Sequence, residues 1–169
     1  MLKLLNNLTP FIEDNYEEYG VREYAKLVKI SPPTASKILK GFEKEGLLLS
    51  RPERKHILFR ADRENKIFKT LSLAYWQIKL KDLAEFLSEE FNHKKIILFG
   101  SLVKTETKKD SDIDIVMITK FKKDIDLEKY ERKLGKKIQP FTFKSLSSIK
   151  SKELKTSIFN GYIIQGEIK

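Results

Sequence analysis

A chain of 169 residues with 40% hydrophobic side chains can bury two small cores, and the lack of any cysteine excludes disulfides, zinc thiolate sites and thiol catalysis. Against 24 acidic residues stand 34 lysines and arginines, and the net charge of +10 draws the chain to polyanions without saying which. No apolar run is long enough to span a membrane and no segment has the layout of a signal peptide, so a cytoplasmic protein with no membrane partner is expected.

The first periodic segment is Val21 to Val28, where Val21, Tyr24, Ala25 and Val28 recur at helical spacing. Lys29 to Pro33 interrupts it. Ser31 is expected to cap a second helix that Pro32 and Pro33 begin, with Ala35, Ile38, Leu39 and Phe42 on its apolar face and Gly46 at its end. Two helices joined by a tight turn make a helix-turn-helix. The outward residues of the second are Thr34, Ser36, Lys37, Lys40 and Lys44, a polar and cationic set suited to phosphates and base edges. Leu47 to Leu49 and His56 to Phe59 then read as two strands around a charged hairpin, Ser50 to Lys55. Over about Leu2 to Ala61 this pattern resembles the winged helix-turn-helix of bacterial and archaeal transcription regulators. The resemblance implies that the second helix lies in the major groove of double-stranded DNA, with Arg51, Arg54 and Lys55 of the wing beside the sugar-phosphate backbone. Winged helices also dock proteins, and the cationic face favours DNA.

From Glu64 to Phe91 there is no glycine or proline, and Ile67, Leu71, Tyr75, Ile78, Leu83, Phe86 and Leu87 recur as in a long helix with a break near Leu80. Paired half-sites on DNA favour a homodimer, which this helix is expected to support; the plainer role is packing against its own domains.

Lys95 to Phe99 is an apolar run that stops at Gly100, which predicts a buried strand ending in a phosphate-binding turn. After a lysine-rich connector come Asp112 and Asp114. Residues two apart on a strand face the same way, and two parallel carboxylates repel unless a cation lies between them. Hard oxygen ligands of this kind predict Mg²⁺ held together with a phosphorylated ligand. Lys104, Lys108 and Lys109 are candidates to face its phosphates.

Gly100 to Ile115 resembles the Gly-Ser … Ser-Asp-x-Asp motif of the minimal nucleotidyltransferases, small members of the DNA polymerase beta superfamily. The likeness runs loosely from about Lys94 to the C-terminus, where Asn160 to Gly166 is similar to that domain's closing strand. It implies that Gly100 and Ser101, with Lys104 and Ser111 nearby, take the triphosphate of a nucleoside triphosphate such as ATP, and that Asp112 and Asp114 hold metal and serve the chemistry. The chain departs from the pattern at Leu102, where members often carry arginine, and at Thr105, where they usually carry glycine. A third departure matters more. The strand expected to supply a third carboxylate, Lys136 to Phe143, has Gln139 in its place, and an amide can neither accept a proton near neutral pH nor offset a second divalent ion.

The expected fold is α+β: a winged helix over 1–63, a connecting helix over 64–92, and a small mixed-sheet domain of nucleotidyltransferase type over 93–169. The expected function is a DNA-binding regulator whose C-terminal domain binds Mg-NTP, with catalysis left open by Gln139. The alternative is an active nucleotidyltransferase that moves a nucleoside monophosphate to a protein or nucleic-acid acceptor, as the resemblance to antitoxins of HEPN-type toxins implies. His56 and His93 have no partner at metal-ligand spacing, and Phe141, Phe143 and Phe159 are expected in a core.

Overall fold

A computed structural model describes residues 2–92, 95–120 and 123–166, so His93 lies outside the described residues. The chain divides into two compact units, Met1–Tyr75 with Thr105–Lys109, and Trp76–Lys104 with Asp110–Lys169. Among the described residues the architecture is α+β, with two separate sheets.

The first unit contains α1 (Lys3–Glu13), β1 (Tyr19–Gly20), α2 (Val21–Leu27), α3 (Pro32–Lys44), β2 (Leu48–Glu53) and β3 (His56–Ala61). Helix α1 has no counterpart in the sequence reading because Pro10 sits inside it. A proline there costs about 3 kcal/mol. Leu5, Leu8, Phe11 and Ile12 are buried from the same helix, at about 1.5–3 kcal/mol each, and outweigh that cost. Ser31 caps α3 as expected, its side chain accepting from the Thr34 amide, with prolines leading the first turn. Gly46, at φ +71°, ends the helix: its amide donates to the Glu43 carbonyl and that of Leu47 to Phe42, the two bonds of a Schellman motif.

Strand β3 lies between β1 and β2, antiparallel to both. The hairpin is tighter than the sequence suggests. Pairing continues to Glu53 opposite His56, so only Arg54 and Lys55 turn, with Arg54 at φ +52°. Pro52 is tolerated inside β2 because that strand is an edge.

Helix α4 (Lys66–Lys79) runs to Leu80, where α5 (Lys81–Glu90) begins. The remaining elements of the second unit are β4 (Ile96–Phe99), α6 (Ser101–Lys104), β5 (Ile113–Ile118), α7 (Glu128–Leu134), β6 (Ile138–Phe143), a 3₁₀ turn at Leu146–Ser148, α8 (Lys152–Phe159) and β7 (Tyr162–Gln165). The sheet order is β6-β5-β4-β7, with β5 and β6 parallel and the other pairs antiparallel. Ile97, Phe99 and Val116 form a core with Ile149 and Ile158, and Phe141 and Phe143 pack against it. Phe159 departs from its expected core position and is 62% exposed. Ile158 takes the inward position on α8, and the next residue falls about 100° around the helix. Among the described residues no helix is long and apolar enough to cross a membrane.

Candidate nucleotide and metal site

The site is built where β4 ends against β5. All four residues of β4 are buried, and Phe99 pairs with Asp114. Gly100 then turns the chain at φ +77°, a left-handed conformation that glycine adopts without strain. The turn also has no room for a side chain, since a Cβ on Gly100 would stand 2.1 Å from Asp114 Oδ2. Ser101 opens the single turn of α6, and Lys104, exposed, ends it.

Strand alternation puts Asp114 on the same side of β5 as the core residue Val116, and Asp112 precedes it on that side. Burial, followed by the charge of Asp112, pushes the Asp114 carboxyl above its ordinary range. Gln139 lies opposite Asp114 across the parallel β5–β6 ladder. Its side-chain Nε2 donates to Asp112 Oδ2 at 2.5 Å. The amide stands beside the carboxylate pair, where the resemblance implies a third acid.

Other polar groups have different partners. Ser111 presents its carbonyl to the Lys136 Nζ at 3.3 Å, and Lys136 is 9% exposed. The sequence reading gave Lys136 no role, since a lysine before a strand carries no mark of burial. Asp126 accepts from the Glu128 amide at the start of α7. Asp110 and Asp124 are exposed.

Thr105 to Lys109 belongs to the first unit and runs differently from the expectation for its lysines. Lys108 Nζ stands 5.3 Å from the centre of the Tyr16 ring, and the Lys109 amide donates to Asp14 Oδ2 at 3.0 Å. Thr105 adopts φ +55°, a left-handed conformation that glycine takes more readily than a β-branched residue. Its hydroxyl donates to the Arg63 carbonyl at 3.2 Å.

On α3, Lys37, Lys40 and Lys44 are exposed on the side away from buried Ala35, Leu39 and Phe42. Ser36 is half-buried, and Thr34 shares a 2.8 Å hydrogen bond with Ser31. On the hairpin, Arg54 and Lys55 are exposed, whereas Arg51 pairs with Glu18 and Glu53. The hydrogen bond from Arg51 holds the Glu18 carboxyl below its ordinary range.

The donor set suits one magnesium ion. Two carboxylates on one face, one of them costly to ionise alone, are what an ion shared with substrate phosphates requires. Among the described residues no group of three or more histidines, aspartates or glutamates is placed to hold a metal ion.

A search of curated proteins finds no sequence match. A solved structure, reported as that of TrmBL2, an archaeal chromatin protein with a novel mode of DNA binding, is 18% identical, with 90% of this chain and 68% of that one covered. Its TM-score of 0.33 is too low to speak for fold or function. A family model described as nucleotidyltransferase domain matches residues 80–164, which contain the Gly100 turn, both aspartates and Gln139. That match takes in half of the chain and places the protein in the nucleotidyltransferase domain family.

Proposed function

We propose that the protein is a DNA-binding regulator whose second unit binds a magnesium nucleoside triphosphate, ATP being the probe of choice, and turns it over poorly or not at all. The observation that carries this reading is the Gln139 amide bonded to Asp112 where a third carboxylate would be needed. Magnesium, when bound, offsets the charge of the two carboxylates and of the triphosphate. Asp112 and Asp114 would hold it, Gly100 and Ser101 would receive the phosphate tail, and Lys104 and Ser111 flank that position in the chain. Gln139 fixes Asp112 but cannot take a proton from an acceptor hydroxyl. Incubation of the full chain with labelled ATP and magnesium should give binding without transfer. Label on a protein or nucleic-acid acceptor would instead support an active transferase, for which a HEPN-type toxin is one candidate partner.

The DNA half of the proposal rests on the first unit. A capped helix with three exposed lysines and a two-residue hairpin carrying Arg54 and Lys55 match the elements of a winged helix, with α3 as the reading helix. Ile67, exposed on α4 in the first unit, offers apolar surface for a second copy on paired half-sites. Replacing Lys37 and Lys40 together by alanine should weaken binding of a mixed-sequence duplex and lower the salt slope by about 2, since each phosphate contact releases counterions. A double variant that shifts duplex in gels like the parent would remove α3 from the interface.

A further inference from the structure

Helix α8 turns one face to solvent. Ile158 is buried and Leu154 half-buried against the sheet, so the helical period points Lys152, Thr156, Phe159 and Asn160 the other way. The C-terminal end of the helix is pinned. A Cβ on Gly161 would stand 2.6 Å from Ile97 Cγ2 and 2.7 Å from the Leu98 carbonyl oxygen, so glycine alone lets the turn into β7 close against β4. Strand β4 runs on into the Gly100 turn, and the Lys104 amide donates back to the Gly100 carbonyl at 3.3 Å. The ends of α6 and α8 are thus fixed to the same strand.

An open cleft of about 430 Å³ is lined by Lys104 from α6 and by Lys152, Glu153, Thr156, Ser157 and Asn160 from α8 and its cap. That is room for a nucleotide unit. Two ammonium groups, two hydroxyls and an amide face it with a single acid, Glu153, which accepts from the Ser151 hydroxyl at 3.0 Å. Phe159 stands alongside, 62% exposed, with Lys155 and Thr156 as its neighbours one helical turn back and Asn160 next in the chain. An exposed ring among cations is what a single strand of nucleic acid takes, its bases stacking on the ring and its phosphates following the charge. A duplex keeps its bases closed. Hydroxyl and amide groups between the lysines add partners for a ribose 2′-hydroxyl, which DNA lacks. An acidic peptide would use the lysines and leave the ring idle.

We propose that the outer face of α8, together with Lys104, is a docking surface for single-stranded RNA, with one base stacked on Phe159 and adjoining phosphates on Lys104 and Lys152. The surface uses no residue of the first unit. It binds without making or breaking a bond.

The test is fluorescence anisotropy of the full chain with labelled oligouridylate, in the absence of ATP and magnesium. Phe159→Ala should weaken oligouridylate binding about tenfold and leave duplex affinity and melting temperature at the parent's values. Phe159→Trp should restore the affinity, and its emission should fall on binding, as stacking requires and a purely electrostatic contact does not. The native tryptophan, Trp76, is buried and gives the baseline. Lys152→Ala should lower the salt slope by about 0.7, the share of one phosphate on a single strand. Oligodeoxyuridylate, which differs by the 2′-hydroxyl alone, should bind more weakly. Parent-like binding by Phe159→Ala, or Phe159→Trp emission that oligouridylate leaves unmoved, would overturn the surface, and equal affinity for the two strands would overturn its assignment to RNA. Oligouridylate binding lost with Lys37 and Lys40 but kept in Phe159→Ala would place the RNA on the first unit instead. No nucleoside triphosphate is present, so a failure of ATP to bind would remove the function proposed above and leave this result standing.

Discussion

Asp114→Asn is expected to lower Mg-ATP affinity by at least about 100-fold, a loss of the size that removing even an outer partner of a metal site can cause. The variant keeps the shape of the side chain and the Gly100 contact, so the loss reports charge and not packing. Its effect on stability should run the other way. Burial raises the Asp114 pKa on folding, so the folded chain holds that proton more tightly than the unfolded one. The stabilisation this gives is full at acid pH and is lost as pH rises through the folded value. Above that value, and without magnesium, the parent bears an ionised carboxylate next to Asp112 that the asparagine variant lacks. Asp114→Asn should melt higher than the parent in EDTA and gain nothing from Mg-ATP, whereas the parent gains. The parent's magnesium affinity should also fall as pH drops into the range where Asp114 takes up its proton. Calorimetry across pH checks this, and unchanged ATP affinity in the variant would remove Asp114 from the site.

Gln139→Glu is expected to convert a binding site into a catalytic one. The amide nitrogen already stands 2.5 Å from Asp112 Oδ2, so an isosteric carboxylate would sit beside the pair without moving the backbone of β6. It would supply both a ligand for a second ion and a general base, and a positioned base contributes about 10²–10⁴-fold to rate. Transfer from labelled ATP should therefore rise by about 100-fold over whatever the parent shows. The gain has a cost in the absence of metal. Three acids would then share one face in place of an amide donating to one of two, so Gln139→Glu should melt lower than the parent in EDTA and recover with magnesium. A variant that binds Mg-ATP and transfers no more than the parent would mean that Gln139 is not what limits the chemistry.

These two positions were legible in the sequence for a simple reason. The two-residue period of a strand places Asp112 and Asp114 on one face, and the resemblance to the minimal nucleotidyltransferases singled out Gln139, which the β5–β6 register sets beside them. The same reasoning placed Ser31 as a cap and Gly46 as a stop, both local devices readable from neighbouring residues. What it missed depends on distance along the chain. The Thr107 amide donates to Asn15 Oδ1 from 92 residues away, and nothing near Asn15 distinguishes it from a loop asparagine. Glu18 neutralises Arg51 from 33 residues away, so the wing was expected to present a free arginine that the fold has paired. Helix α1 was hidden by Pro10, a local signal overruled by four buried apolar side chains. Lys108 followed the same logic: its place in the motif pointed to phosphate, and the Tyr16 ring, reachable only through the fold, has it instead.

The most direct test of the central claim is a crystal of the full chain grown with magnesium and a non-hydrolysable ATP analogue. One ion bridging Asp112 and Asp114, with the triphosphate along Gly100 and Ser101 and the Gln139 amide still on Asp112, is the expected result. An ion pair at the site with Gln139 turned away, or a nucleotide bound with the two aspartates unligated, would contradict it.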